Sequence, residues 1–169
     1  HLADSVDVPM YAVNPRHDRI HGHPCRRTID QLPDEVSLAI ISVPASDLDA
    51  TVDACIAKRM RGAVIVTSVD GSDVDVAALV TRARRNGLRI IGPSSMGIAS
   101  PRPETRLQAA LVDVTLPPGG VAISMQSGSL GGSLLRKASD VALGVSWFVS
   151  LGDKSDISGN DLLQFWEQD

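Results

Sequence analysis

The sequence predicts an α/β protein whose parallel strands form a doubly wound sheet. Its apolar runs are short and lack the strict alternation of half-exposed strands, which is typical of strands buried on both faces. Amphipathic helical segments separate the runs, as crossovers between parallel strands require. Three runs break into turns of small residues that open a helix, within Ala39–Asp49, Ala63–Asp75 and Val121–Leu135. Backbone N–H groups of such turns suit anions, so phosphate-bearing ligands are the first candidates.

The composition excludes two classes of partner. With 169 residues and 43% hydrophobic content, the chain can bury a core in one or two domains. A net charge of −4 and an aromatic content of 3% argue against a nucleic-acid partner. The longest apolar stretches are about five residues, whereas a membrane-spanning helix needs roughly 20. We therefore expect a cytoplasmic protein that binds neither nucleic acid nor membrane.

The first part of the chain contains two predicted strands. His1–Val6 is short and polar, as at the end of a helix. Pro9–Val13 follows as a short apolar strand that ends in a turn beginning with Asn14-Pro15. Ser37–Val43 is a longer strand, and Pro44 stops it.

Two amphipathic helices and two more strands complete the first unit. Ser46 is the expected N-cap of a helix that reaches Met60, and Ser72 is the expected N-cap of the next helix, which ends at Asn86-Gly87. Apolar residues at helical spacing define one face of each, namely Leu48, Val52, Cys55 and Ile56 in the first and Val76, Leu79, Val80 and Ala83 in the second. The added strands are Ala63–Val66 and Leu88–Ile91. Together the four strands predict one parallel sheet, assigned to a domain of residues 1–98.

The remaining residues predict a connection and a second α/β unit. Four prolines bracket residues 99–119, which hold only Leu107–Val114 as a possible strand and are therefore interpreted as a connecting segment. Residues 120–169 predict a βαβα piece, about half of a domain. Its elements are a strand at Val121–Ser124, a helix at Gly128–Val141, a strand at Val145–Ser150 and a helix at Gly159–Glu167.

Common catalytic motifs do not match. Ser127-Gly128-Ser129-Leu130-Gly131-Gly132 lacks the G-x-G-x-x-G spacing of dinucleotide-binding turns, and no G-x-x-x-x-G-K-[ST] occurs. Ser129 would need a glycine two residues earlier to form a nucleophile elbow, and no histidine follows His23. A serine hydrolase is thereby disfavoured.

A metal site is also disfavoured. The histidines lie in the first 23 residues, where His21, His23 and Cys25 are close in sequence. The adjacent Arg26-Arg27 would repel a cation, and a solvated loop explains the segment more simply. Cys25 and Cys55 are expected to be reduced thiols.

Five segments together resemble a known family. They are Pro9-Met-Tyr-Ala-Val-Asn-Pro15, Ala39-Ile-Ile-Ser-Val-Pro-Ala45, Ile91-Gly-Pro-Ser-Ser-Met-Gly-Ile98, and Met125-Gln-Ser-Gly-Ser-Leu-Gly131 with Val149-Ser-Leu-Gly-Asp-Lys154. In this order and spacing they resemble the NDP-forming acyl-CoA synthetases, including the ADP-forming acetyl-CoA synthetases, and more distantly the α subunit of succinyl-CoA synthetase. The resemblance implies a Rossmann-like CoA-binding domain followed by part of a flavodoxin-like ligase domain.

The resemblance implies a coenzyme A site at the carboxyl ends of the first unit's strands. Arg16 would pair with a ligand phosphate, or be only a solvated surface charge. Pro44 is explained equally well as a strand terminator, and Val43 and Met96 would form an apolar wall. The implied pocket residues are Asn14, Pro15, Arg16, Val43, Pro44, Thr67, Ser68, Ser94 and Met96.

A second implied site lies at a helix N-terminus in the ligase domain. In the family such a helix faces the phosphate on an active-site histidine, and that role would fall here on Gln126, Ser127, Gly128 and Ser129. The alternative is that the serines cap the helix while Gly131-Gly132 allow close packing. The family's opening strand would precede His1, and its histidine and catalytic acid would follow Asp169. No catalytic residue or metal ligand is therefore assigned within the chain.

The implied function is part of a larger reaction. The family joins CoA to a carboxylic acid at the expense of ATP, through an acyl phosphate and a phosphohistidine. ATP and ADP would bind to a nucleotide-binding (ATP-grasp) subunit or domain outside this chain. One departure is Ser94-Ser95, where the family usually has Asn-Cys. Two alternatives are an acyl-CoA-sensing region fused to a protein lysine acetyltransferase domain and a free-standing CoA- or nucleotide-binding module.

Overall fold

The computed structural model describes residues 9–168, so the predicted helix end at His1–Val6 lies outside the described part. Ten strands and four α-helices form within it. The strands are β1 (Ala12–Val13), β2 (Arg19–Ile20), β3 (His23–Arg26), β4 (Leu38–Ile41), β5 (Gly62–Ile65), β6 (Arg89–Ile91), β7 (Gly97–Ser100), β8 (Leu107–Ala110), β9 (Pro118–Met125) and β10 (Val145–Ser150). The helices are α1 (Leu48–Ala57), α2 (Val76–Arg85), α3 (Gly128–Asp140) and α4 (Gly159–Trp166).

A parallel sheet of β4, β5 and β6 forms the centre of the first unit, which confirms the α/β prediction. Apart from Arg89 at the start of β6, the strands consist of apolar residues and glycine, which is typical of a sheet that is covered on both faces. Helices α1 and α2 bury their apolar stripes on one face, in a core that includes Leu48, Val52, Leu79 and Ile65. The apolar spacing in the sequence therefore identified both helices and their buried sides.

The predicted N-caps of these two helices are wrong. A 3-10 turn at Ala45–Asp47 precedes α1, and Ser46 Oγ contacts the Asp47 carboxylate instead of a helix N–H group. The second helix begins at Val76, and its N-cap is Asp75, whose carboxylate accepts from the Ala78 N–H at 2.9 Å. Ser72 Oγ donates to the Val69 carbonyl. Several Ser and Asp residues competed for each cap, and sequence alone did not rank them.

The first predicted strand is shorter than expected and lies in another sheet. Only Ala12–Val13 of Pro9–Val13 is a strand, and it pairs in parallel with β3, which pairs with β2 as a hairpin. Val13 still packs against the core of the first unit. Within residues 9–168 the central sheet therefore has three strands where the sequence predicted four.

The second unit contains more strand than the sequence predicted. Strands β9 and β10 pair in parallel, but β10 also pairs with β7 in antiparallel orientation, and β7 pairs with β8. The segment 99–119, predicted as a connection, thus contributes to the second sheet. Helix α3 ends one residue before the predicted Val141, and β10 has the predicted bounds. Strand β8 lies within the possible strand Leu107–Val114. Strand β7 was not predicted, because it is stabilised by its partners, which a local pattern does not show.

The two units share a core. Val64 of β5, Ile98 of β7 and Val149 of β10 pack in one cluster with Leu162 and Trp166 of α4. Ser158 and Asp161 form a capping box at the start of α4. Consequently a helix of the second unit packs against strands of both sheets.

Gly152 marks the closest approach of the two units and generates a prediction. It has φ +58°, and a Cβ there would overlap the Pro93 carbonyl and lie 2.8 Å from Ser94 C. We expect Gly152→Ala to lower the free energy of unfolding by about 2 kcal/mol or more, since backbone strain and overlap add. Urea denaturation measures this free energy of unfolding.

Gly159→Ala is the matched control. Gly159 is the first residue of α4, and an added Cβ there would meet nothing within 4 Å. We expect a change within about 0.5 kcal/mol. Equal midpoints of urea denaturation for the two variants would contradict the close approach at Gly152.

Candidate functional site

Thr67 joins the ends of the three central strands. It follows β5, and its hydroxyl donates to the Val43 carbonyl at 2.7 Å and accepts from the Val43 N–H at 3.1 Å. The Thr67 carbonyl in turn accepts from the Ser94 N–H at 3.0 Å. These bonds set the spacing of the turns after β4, β5 and β6. Three predicted site residues are thus brought together at one edge of the sheet.

The turn after β6 is held by buried serines. Ser95 Oγ donates to the Ser150 carbonyl at 2.5 Å and accepts from the Gly97 N–H at 2.9 Å. Ser150 Oγ accepts from the Met96 N–H at 2.9 Å. Ser95 therefore has a structural role that its hydroxyl fulfils where the family usually has Cys.

Ser94 has an unusual backbone conformation in the same turn. Its φ is +58°, in the left-handed region where Asn is more readily accommodated than most residues. Its hydroxyl donates to Asp153 Oδ2 at 3.3 Å. Asn at this position would therefore be compatible with the backbone conformation of the turn.

Met96 brings the first unit against the N-terminus of α3. A Cβ on Gly128 would lie 3.4 Å from Met96 Cβ, and one on Gly131 would lie 3.4 Å from Met96 Cε and 3.1 Å from the Phe148 ring. A Cβ on Gly132 would lie 3.5 Å from Met96 Sδ. An added Cβ would be tightly packed only at Gly131, because the distances at Gly128 and Gly132 are those of ordinary van der Waals contact. These contacts also place the predicted apolar wall beside the predicted phosphate-facing helix.

Ser127 is the N-cap of α3, as one of the two sequence interpretations held. Its hydroxyl accepts from the Leu130 N–H at 3.4 Å and lies 3.3 Å from Ser129 Oγ. Gln126 and Ser129 are exposed, and Ser127 and Gly128 are partly buried. Capping engages one N–H group of the first turn and leaves this exposed helix end suited to an anion.

The turn after β1 is organised separately. Asn14 Oδ1 accepts from the N–H groups of Arg16 and His17 at 2.8 and 3.1 Å. Arg27 donates to the Pro15 carbonyl at 2.7 Å. The Arg16 side chain is exposed and has no hydrogen-bond or ion-pair partner among residues 9–168. No hydrogen bond between described residues links this turn to Thr67.

Two further predicted residues lie exposed at strand ends. Pro44 starts the 3-10 turn before α1, where its carbonyl accepts from the Asp47 N–H at 2.9 Å. Ser68 Oγ interacts with the side chain and N–H of Asp70, both at 3.3 Å. Neither is joined to the Thr67 hydroxyl. The edge is open, and the two main clefts of the described surface, along α2 and beside α4, are not lined by any predicted site residue.

Asp156 was missed by sequence reasoning. Its side chain is 0% exposed, and its carboxylate accepts from the Ile90 N–H at 2.7 Å and from Arg89 Nε at 3.0 Å. This hydrogen bonding raises the pKa of Arg89. In sequence Asp156 lies in a polar loop like many surface loops, and only the tertiary structure shows that it is buried.

Other titratable groups offer little chemistry. No cluster of three or more His, Cys, Asp or Glu residues that could hold a metal occurs in the part of the chain that the structure describes. Burial raises the pKa of the Cys55 thiol to about 11, so it is unreactive at neutral pH. Within residues 9–168, no helix is long and apolar enough to span a membrane.

Two family models match the chain. The model described as a CoA binding domain matches residues 2–101, which is more than half of the 169 residues. The model described as a succinyl-CoA ligase like flavodoxin domain matches residues 118–169. Both matches agree with the family resemblance inferred from the sequence motifs.

Similar proteins are ADP-forming ligases. An ADP-forming acetate–CoA ligase of Methanocaldococcus jannaschii is 35% identical over 164 residues, which are 95% of this chain and 23% of that protein. The α subunit of ADP-forming acetate–CoA ligase II of Pyrococcus furiosus is 33% identical over 92% of this chain and 35% of the subunit. The chain therefore spans about a quarter to a third of these relatives.

A solved structure has the same fold. The dinucleotide forming acetyl-coenzyme A synthetase 1 of Ca. Korarchaeum cryptofilum matches with a TM-score of 0.86 and 33% identity, over 94% of this chain and 35% of that chain. That protein is also known in complex with phosphate and ADP. The predicted order of a Rossmann-like and a flavodoxin-like unit is thereby confirmed.

The left-handed conformation of Ser94 generates a prediction. Ser94→Asn is expected to leave the free energy of unfolding within about 0.5 kcal/mol of the original, because Asn tolerates this region and its amide can reach Asp153. Ser94→Val is expected to lose about 1–2 kcal/mol, because a β-branched side chain is strained there. Thermal and urea unfolding measure both. Equal stability of the two variants would show that the turn is not held in this conformation.

Proposed function

Because the chain belongs to the CoA binding domain family over residues 2–101, we propose that it forms the CoA-binding portion of an ADP-forming acyl-CoA synthetase. The match of residues 118–169 to a ligase flavodoxin domain supports this assignment. We retain the division into a CoA-binding domain of residues 1–98, a connection of residues 99–119 that adds strand to the second sheet, and a partial ligase domain of residues 120–169. The complete reaction would convert an acid, CoA and ATP to acyl-CoA, ADP and phosphate.

The observation that carries the proposal is the strand-end arrangement built on Thr67. Ligands of open α/β sheets bind at the carboxyl ends of the strands. Here the Thr67 hydroxyl and carbonyl connect Val43 to Ser94 at that edge, and the chain continues to Met96 beside α3. An extended CoA molecule could lie along these turns.

Individual residues have different roles in this proposal. Val43 and Met96 would contact apolar parts of CoA, and Arg16, with no ion-pair partner among residues 9–168, would pair with a phosphate. Thr67 would act through its main chain, since its hydroxyl is already hydrogen-bonded. The other wall residues would be Asn14, Pro15, Pro44, Ser68 and Ser94.

The N-terminus of α3 would stabilise a phosphoryl group during the reaction. The group would be carried by a histidine supplied from outside this chain and phosphorylated by ATP on a nucleotide-binding (ATP-grasp) subunit or domain. Gln126, Ser127, Gly128 and Ser129 surround the helix end, where the helix dipole and N–H groups favour negative charge. Met96 lies between the N-terminus of α3 and the CoA wall, so the CoA thiol and the acyl phosphate would meet between these two sites.

An acyl-CoA-sensing region fused to an acetyltransferase would use the same CoA wall without phosphoryl transfer. CoA binding therefore tests the shared part of both hypotheses. Phosphorylation by ATP tests the synthetase alone.

The first prediction concerns CoA affinity. We expect the protein to bind CoA in isothermal calorimetry, and Arg16→Glu to weaken binding at least ten-fold because it replaces an attraction to phosphate by a repulsion. Arg61→Glu is the matched control, since Arg61 is exposed next to the amino end of β5, at the opposite edge of the sheet. Equal losses in both variants would remove Arg16 from the site. Absence of any CoA binding by the unaltered protein would refute the proposed function.

The second prediction concerns phosphate at α3. With radiolabelled ATP, the nucleotide-binding partner and the segment that carries the histidine, we expect acid-labile phosphorylation of that histidine. Gly128→Glu is expected to abolish the labelling, because a carboxylate at the helix start repels phosphate. Gly159→Glu provides the control at the same position of α4, where an added Cβ meets nothing within 4 Å. Undiminished labelling in the Gly128 variant would show that α3 does not face the phosphate.

A further inference from the structure

The loop that follows β10 covers the free edge of β6. Three of its N–H groups donate to the main chain of the first unit: Ile157 to Ile90 at 3.1 Å, Ser155 to Gly92 at 3.4 Å and Asp153 to Pro93 at 2.9 Å. The other edge of β6 pairs with β5. Residues 90–93 are therefore held between their own sheet and a loop of the second unit.

Asp156 completes this edge with its side chain. Asp156 lies between Ser155 and Ile157, whose N–H groups bond the carbonyls, and its Oδ2 accepts from the Ile90 N–H at 2.7 Å. Arg89 Nε donates to both carboxylate oxygens at 3.0 and 3.2 Å, and Arg84 Nε lies 3.4 Å from Oδ1. A carboxylate that is 0% exposed needs such partners, because an unpaired buried charge is very costly.

The anchored strand leads directly into the proposed CoA wall. Four residues after Ile90 the chain reaches Ser94, whose N–H donates to Thr67, and then Met96, which packs on Gly128 of α3. A shift of β6 along its edge would move this turn relative to both neighbours. The position of the CoA wall thus depends on the Asp156 contact.

We propose that Asp156 is a positioning residue for CoA binding, which holds the turn of residues 92–96 in place between Thr67 and the N-terminus of α3. The inference rests on the proposed function for the identity of the ligand. In this proposal Asp156 does not contact CoA and acts through the main chain of β6. The charged groups facing it are Arg89 and Arg84, and Asp161 of α4 lies 3.7 Å from Arg89 Nη2 on the far side.

The test compares Asp156→Asn with a variant of equal instability. The amide keeps one acceptor for Ile90 but loses the charge and turns N–H donors toward the two arginines. Val80→Ala shortens a buried side chain of α2 in the first core and leaves Asp156, Arg84 and Arg89 unchanged. Arg89→Lys, which keeps the charge and loses the Nε–H that contacts both carboxylate oxygens, serves if Asp156→Asn does not fold.

Two readouts are measured below the unfolding temperature of every variant. In calorimetry with CoA, Asp156→Asn is expected to bind at least ten-fold more weakly, whereas Val80→Ala binds within two-fold of the original. The N–H groups of Ser94, Ser95 and Met96 are all hydrogen-bonded. Their hydrogen-exchange rates are measured relative to those of the α2 core, and we expect these relative rates to be at least ten-fold higher in Asp156→Asn than in the original.

Each outcome is decisive. Equal CoA affinity in Asp156→Asn and the original, or exchange at residues 94–96 no faster than in Val80→Ala, overturns the positioning role while leaving the proposed function intact. If the original binds no CoA, the proposed function fails, and the exchange measurement still decides whether Asp156 holds the turn.

Discussion

Coverage of the small parallel sheet by the second unit is the constraint on which the rest of the structure depends. A parallel sheet needs both faces buried, and helices α1 and α2 cover only one. The cluster around Leu162 and Trp166 of α4 provides apolar contacts for Leu38, Val64 and Ile91. Each fully buried aliphatic side chain contributes about 1.5–3 kcal/mol, so losing this cluster would remove much of a typical stability margin. Each unit therefore depends on the other to bury this cluster.

This constraint explains where the small residues lie. Where the loop after β10 meets the turn after β6, a Cβ on Gly152 would overlap main-chain atoms. Where α3 meets Met96 and Phe148, a Cβ on Gly131 would lie 3.1 Å from the Phe148 ring. Gly131 therefore has a packing role, whereas Gly128 would accept a Cβ in ordinary van der Waals contact with Met96.

The candidate site was only partly foreseeable. The family resemblance implied Val43, Thr67 and Ser94 as site residues, and the rule that ligands of parallel sheets bind at the carboxyl ends of the strands agreed with their location. That Thr67 uses its hydroxyl on Val43, and that Ser95 bridges Ser150 and Gly97, could not be inferred because each partner is distant in sequence. The burial of Asp156 could not be inferred for the same reason, because the sequence of a loop does not distinguish a buried aspartate from an exposed one.

The sequence by itself determined the α/β class, the identity of the helices and the run of strands from β4 to β6, because apolar periodicity and turn residues act over a few neighbouring positions. The order of its motifs also indicated the family. Tertiary structure decided which residues cap α1 and α2, that β7 and β8 join the second sheet, and that β1 pairs outside the central one. It also decided that the buried Asp156 carboxylate ties the second unit to β6. These outcomes depend on contacts between residues that are far apart in the chain. The local spacing of residue types does not show such contacts, because their free energies depend on how the whole structure packs.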